Sequence, residues 1–386
     1  MKEKSSFNVL FVAVFLDMLG LGFIVPLLPG YATNLGATGL WIAVIFGGYS
    51  LTRVIALPII GRISDKTGRK KAFIATGLFL YVLLSFGYVK ASTLYELSII
   101  RFIQGIASAM IIPLAMAYIG ELSPKDREGS YMGTFSISIF WGMGSGPLLG
   151  GFLEDNFGTL SVFYAMGTLS AFSLILVLFL LPEQRVTGHL HIGEVISYQK
   201  LIKVKPVQGI LIYRFVNAFI RGGIYSFLPI IAALRGLSAF EIGILISVNT
   251  LLVGIFQKPF GKFADKYDKV SLIFFGNLIA CMSLLLIPVS SDFYALFLVG
   301  IIMGIGSSIS MPAATAIAVR AGKRSGMGSV MGLFNMAMGI GMIVAPLISG
   351  VVMDAFNIDA VFYSMGAVGI LGTFVFYMFL KNSKNL

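Results

Sequence analysis

One carboxylate stands deep inside an apolar stretch of this chain. Asp17 is the only one of seventeen acidic residues so placed, ~15 Å from the end of its stretch that carries the N terminus, at 1.5 Å per helical residue. Desolvation favours the protonated form of a carboxyl group and a nearby cation favours the ionised form. An aspartate whose arginine neighbour comes and goes can therefore load and release a proton near neutral pH. Two arginines could be that neighbour: Arg53, at ~12 Å depth by the same count, and Arg101. Asp17, Arg53 and Arg101 are the candidates for proton coupling, and a permanent ion pair that fixes helix packing is the competing reading.

A second cluster holds Arg214, Asn217 and Arg221 at i, i+3 and i+7, which places all three on one helical face. Together with Gln104 they are the candidate substrate contacts. Four arginines against one aspartate within apolar segments make an inner field that is positive on balance. That favours an anionic, zwitterionic or amphipathic ligand, although backbone carbonyls or lipid headgroups could also satisfy the arginines. With 33 Phe, 15 Tyr and 18 Met in the chain, the residues facing such a site could give a soft, adaptable pocket. Trp41 reads instead as an interfacial anchor.

The elements that must carry these residues are membrane spans. The chain has 386 residues, 57% hydrophobic and 12% charged, far from the roughly one quarter charged of soluble domains. Apolar runs near the ~20 residues that cross a ~30 Å hydrocarbon core recur throughout. They fall at roughly 7–30, 41–60, 72–89, 94–119, 131–153, 159–181, 207–233, 241–260, 270–290, 294–319, 327–353 and 361–380. Lys2 and Lys4 ahead of apolar sequence suggest a signal peptide, but the run from Phe7 to Pro29 is too long and lacks a small-residue cleavage site, so it is the first span. The runs are continuous rather than alternating, so the expected class is all-α, a polytopic membrane protein of twelve transmembrane helices.

The net charge of +11 sorts by side. Of the 28 lysines and arginines, Lys90 and Arg235 fall in loops on one side, Arg53, Arg101, Arg214 and Arg221 lie within spans, and the rest share the side of both termini. The positive-inside rule makes that side the cytoplasm, and the charge is a topology signal rather than a nucleic-acid surface. The single cysteine, Cys281, lies in an apolar run and excludes a disulfide framework or a cysteine metal site.

Sliding the sequence on itself by 199 to 200 residues aligns Pro29 with Pro229, Gly61 with Gly261, Asp65 with Asp265, Lys66 with Lys266, Pro113 with Pro312 and Pro147 with Pro346. Asn217 then stands opposite Asp17. Six spans per half at this offset imply a parallel duplication, with two six-helix bundles related by a pseudo-two-fold axis. The expected organisation is 1–181 for the first bundle, 182–206 for a cytoplasmic linker and 207–386 for the second bundle, the substrate path lying between the halves. His189 and His191 read as solvated linker residues.

Three motifs carry a resemblance. GRISDKTGRKK at 61–71, with a weaker copy GKFADKYDK at 261–269, fits the loop signature of the major facilitator superfamily at Gly61, Asp65, Lys66, Gly68, Arg69 and Lys70. Arg101, Gln104 and Gly105 resemble its R-x-x-Q-G signature. Gly133, Gly142, Gly146, Pro147, Gly150 and Gly151 reproduce G-x₈-G-x₃-G-P-x₂-G-G, which resembles the antiporter signature of the twelve-helix drug-proton antiporter branch. The second half keeps Gly332, Gly341, Pro346 and Gly350 but has Ala345 and Ser349. The first span, Phe15 to Pro29, also looks like that branch. In the family the 61–71 loop is a latch between halves that holds the outward-facing state. Glycines along one helical stripe let a neighbouring backbone pack closely, and the proline bends the helix.

The resemblance implies a secondary active transporter of the cytoplasmic (inner) membrane with both termini cytoplasmic. It would be a monomer exchanging protons for a small organic molecule, drug or metabolite, with no metal or other cofactor and no nucleic-acid partner. The alternative within transport is an exporter or flippase of a specific anionic, zwitterionic or lipid-like substrate. A membrane enzyme or sensor is disfavoured, because the sequence offers no intramembrane metal cluster, no nucleophile with its base and no P-loop.

Overall fold

Continuous runs of Leu, Ile, Val, Phe, Ala and Gly, too apolar for water and too long for one turn, can satisfy their backbone groups in lipid only by coiling. The structure, a computed structural model, describes residues 2–123, 128–183, 201–202, 204–325 and 327–381, with backbone alone at 2–4, 65, 128–130, 265, 323–325 and 327–329. Among the described residues there are twelve long helices and no strand. They are α1 (Lys2–Asn34), α2 (Gly39–Thr67), α3 (Lys70–Lys90), α4 (Leu94–Leu122), α5 (Glu128–Phe157), α6 (Thr159–Leu180), α7 (Lys205–Leu234), α8 (Ala239–Lys266), α9 (Lys269–Leu286), α10 (Phe293–Ser325), α11 (Met327–Ala355) and α12 (Ile358–Leu380).

Eleven of the twelve are long and apolar enough to cross a membrane. The exception is α5, which at 30 residues has the length but spends many positions on glycine and serine. Exposed apolar side chains such as Phe86, Phe179, Leu298 and Leu371 form the large apolar surface that lipid, rather than water, would cover. The chain is a multi-pass membrane protein.

Helix ends are set by local chemistry. The Thr93 hydroxyl accepts from the Glu96 amide while the Glu96 carboxylate accepts from the Thr93 amide, a reciprocal cap for α4. Asp268 and Asn357 cap α9 and α12 in the simpler one-sided way. Gly36 and Gly236, 200 residues apart, take φ of 84° and 79° in the turns before α2 and α8. That left-handed backbone suits glycine, and its recurrence repeats the duplication at the level of turns.

The chain divides into two compact units. The first comprises Met1–Gly188 with Gly236–Ser247, and the second His189–Arg235 with Val248–Leu386. In the first, α1 packs on α5 and α6, α2 on α4, and α3 on α4 and α6, around a core that includes Leu10, Tyr81, Ile111, Tyr118 and Phe135. In the second, α7 packs on α11 and α12, and α9 on α10 and α12, around Ile210, Tyr213, Ala314, Phe334 and Phe376. Lipid tails are as apolar as leucine, so close van der Waals approach rather than water exclusion must hold such helices together. The crossings show it: a Cβ on Gly77 would meet the Ala107 carbonyl at 2.9 Å, and one on Gly276 would meet the Gly306 carbonyl at 2.7 Å. In the second unit Cys281 is fully buried, its sulfur 2.7 Å from where a Cβ of Gly369 would stand.

The linker expected at 182–206 lies mostly outside the described residues, as do His189 and His191.

Candidate functional site

The glycines of α5 decide where Asp17 sits. Gly142, Gly146 and Gly150 recur every four residues, one turn apart on one stripe, and that stripe lies on α1. A Cβ at Gly142 would meet the Phe15 carbonyl at 2.6 Å and Met18 Cβ at 2.8 Å; at Gly146 it would meet Gly22 Cα at 2.6 Å; at Gly150 it would meet Phe23 Cα at 2.7 Å. Gly151 points elsewhere, against Ala239 and Phe240 at the start of α8, and Gly133 faces open space. The motif thus has a backbone-to-backbone seam with α1, an outlier at each end, and Asp17 inside the turn that the seam presses.

Asp17 is 1% exposed, and neither carboxyl oxygen has a hydrogen-bond partner. The Tyr81 hydroxyl of α3, also buried and unpartnered, lies within electrostatic reach of it, beside a pair in which Tyr49 of α2 donates to the Ser108 hydroxyl of α4 at 2.9 Å. Tyr81, Tyr49 and Ser108 are not among the residues the sequence singles out. A hydroxyl in an apolar span is too common to stand out, and only the packing of α1 through α4 gathers these three.

Neither arginine pairs with Asp17. Arg53 keeps a buried, unpartnered Nε. Arg101 is held by other groups: it donates from one terminal nitrogen to Gln104 Oε1 at 2.8 Å and from Nε to the Ile45 carbonyl at 3.4 Å, and it lies over the rings of Phe46 and Tyr49, 5.2 and 4.6 Å from their centroids. Tyr88 donates to the same Gln104 oxygen at 2.7 Å. The R-x-x-Q-G motif is therefore a junction of α2, α3 and α4. Gly105 completes it by admitting Thr52, whose hydroxyl donates to the Phe102 carbonyl at 2.8 Å. Gln104 is wholly buried in that junction.

In the second unit Asn217 is buried, and Arg214 and Arg221 are partly buried on the same face of α7. The Arg214 guanidinium donates to two thioethers, Met311 Sδ at 3.4 Å and Met338 Sδ at 2.7 Å, and lies 4.8 Å from the centroid of Phe334; its Nε has no partner. Arg221 forms no hydrogen bond or ion pair among the described residues.

The 61–71 segment, expected as a loop, is helical up to Thr67 at the end of α2 and again from Lys70. Gly61 has open space around it, and the Gly68 amide donates to the Ser64 carbonyl at 2.9 Å in a left-handed cap. Lys66 and Arg69 are exposed. Lys70 pairs with Glu121 of α4 at 2.6 Å. The Asp65 side chain lies outside the described residues.

The sequence profile of the Major Facilitator Superfamily matches residues 10–206 and 210–385. The chain is 33% identical over 373 residues to an uncharacterized MFS-type transporter of Methanocaldococcus jannaschii, covering 95% of each. It is 28% identical over 375 residues to the quinolone resistance protein NorA of Staphylococcus aureus, covering 95% of this chain and 94% of that one. Among solved structures, the nucleoside transporter NupG superposes with a TM-score of 0.80 over 97% of this chain and 99% of that one. At 15% identity that likeness speaks for the fold alone.

Proposed function

The chain belongs to the Major Facilitator Superfamily and is a membrane transporter rather than an enzyme, and from that premise we propose that it exports a small organic molecule, drug or metabolite, in exchange for protons by alternating access. The observation that carries this reading is Asp17. A charge buried without a partner is far more costly than a neutral polar group. In the described arrangement the carboxyl is therefore compatible with carrying its proton, and it can give that proton up only when movement brings water, a hydroxyl or a cation to it. Tyr81 offers a hydroxyl within electrostatic reach, and Arg53, of the same unit, keeps a buried unsatisfied Nε.

The antiporter glycines support the reading, because they seat α5 on the turn that holds Asp17. The similarity to a quinolone resistance protein supports efflux as the direction. We further propose cytoplasmic termini, on the charge asymmetry of the loops, and a latch role for the 61–71 segment, on its motif.

The test is uptake into inverted vesicles driven by an imposed pH gradient. Asp17→Asn should reach the membrane folded and lose gradient-driven transport by at least tenfold. Full gradient-driven transport by that variant would sink the proton-carrier assignment.

A further inference from the structure

We propose that the Arg214 guanidinium, held among side chains of α7, α10 and α11, binds the carboxylate of a small amphipathic monoanion, and that this anion is the transported substrate. The proposal rests on the transporter reading above and supplies its substrate class.

The argument starts from what Arg214 lacks. A guanidinium has five N–H donors, is never deprotonated in a protein and matches a carboxylate with two parallel hydrogen bonds. Here two donors meet the sulfurs of Met311 and Met338, one face lies against the Phe334 ring, and Nε meets nothing. Thioether sulfur is a weak acceptor, so among the described residues the positive charge is left without an anion about 14 Å along a membrane helix that begins at Lys205. Among the described side chains of this unit the acids offer no relief: Asp268, Asp292, Asp354 and Asp359 all stand in the end turns of helices or between them. Intramembrane arginines with no protein counter-ion mark ligand pathways.

The walls say what else the ligand carries. Met311, Met338 and Phe334 give a flexible apolar lining, and methionine can rotate away to let an anion replace its sulfur without leaving a rigid void. The Tyr213 and Ser310 hydroxyls, bonded to each other at 2.9 Å beside Arg214, are a ready second donor. A guanidinium set against two thioethers and a phenyl ring suits one negative charge on an aromatic or aliphatic body. Arg221, two turns further along the same face, would extend the positive field towards the ligand's approach.

The experiment measures binding to purified protein in phosphatidylcholine nanodiscs, at one pH with no gradient, so that failure of proton coupling does not affect it. The probes are 4-phenylbutyrate, 4-phenylbutanol and 4-phenylbutylamine, which share a body and differ in charge. The parent should bind the carboxylate at least tenfold more tightly than the alcohol and the amine, because a charge-assisted bond in a low-dielectric site is worth about ten- to a hundredfold. Arg214→Gln should remove that preference and Arg214→Lys should keep part of it. Equal binding of the three probes by the parent overturns the proposal without recourse to any variant, and so does an Arg214→Gln protein of unchanged melting temperature that keeps the carboxylate preference. Loss of 4-phenylbutyrate binding when phosphatidylglycerol replaces half the phosphatidylcholine would assign Arg214 to a lipid headgroup and overturn a transported anion.

Discussion

Gly142 of α5 approaches α1 so closely that a Cβ on it would stand 2.6 Å from the carbonyl oxygen of Phe15, two residues before Asp17. The seam and the buried carboxyl are thus one structure, and the first prediction addresses it. Gly142→Ala forces the two backbones apart, since backbone atoms cannot rotate away as a side chain can. Overpacking of this kind costs about 1–3 kcal/mol. The melting temperature should fall and transport should slow. Gly133→Ala, in the same helix and the same motif but with nothing within 4 Å, should be neutral or slightly stabilising because alanine is the better helix former. Thermal unfolding of the two variants side by side checks the contrast; equal effects would mean that the seam does not hold.

Gln104 is the shared acceptor of Arg101 and Tyr88. Gln104→Ala leaves a buried guanidinium and a buried hydroxyl short of a partner, a loss of about 2–5 kcal/mol. The expected outcome is lower expression and melting temperature, with transport of chemically different substrates reduced alike. A variant of parental stability that failed on one substrate alone would instead place Gln104 in the binding site.

Asp268 offers a pH test outside the spans. Partial burial opposes its ionisation, but hydrogen bonds from the Ser271 amide and hydroxyl, at 2.8 and 2.6 Å, outweigh it and hold the carboxyl below the usual aspartate range. A group whose folded value is depressed stabilises above its unfolded value, ~3.9 for aspartate, and that contribution is lost as pH falls through the folded value. Asp268→Ala should therefore lower stability by about 0.5–1 kcal/mol at pH 7, a capping effect reduced by solvent screening. The gap from the parent should narrow as pH falls below the unfolded value and through the depressed folded one. Melting curves between pH 3 and 7 would show it, and a gap constant with pH would mean that Asp268 acts as a neutral cap.

The helices were legible because lipid imposes length and apolarity on every span, and the duplication because Pro29/Pro229 and Gly61/Gly261 recur at a fixed offset. The ends were less so: α1 runs from Lys2 to Asn34, beyond the 7–30 apolar window, since a helix continues into the polar boundary until a turn glycine stops it. Asp17 stood out as a charge in an apolar run. Its surroundings did not, because the partner of a buried group depends on which helices cross, and Tyr81, Tyr49 and Ser108 come from three of them. The cation for Asp17 was open between Arg53 and Arg101, and the structure gives Arg101 a neutral acceptor three residues on in its own helix. Lys70 and Glu121, 51 residues apart, meet only because α3 and α4 are neighbours.

The burial of Cys281 turns the chain's only thiol into a clock. Water-borne maleimide has nothing to react with while α9 stays seated against Gly369 and Thr373 of α12. Its rate of modification thus counts the openings of that helix pair, a local unfolding event of the kind that hydrogen exchange and proteolysis also report. Timed in lipid with and without a bound ligand, the reaction reads how far occupancy of the second unit stiffens it, with no label to be engineered and no other sulfhydryl to be subtracted.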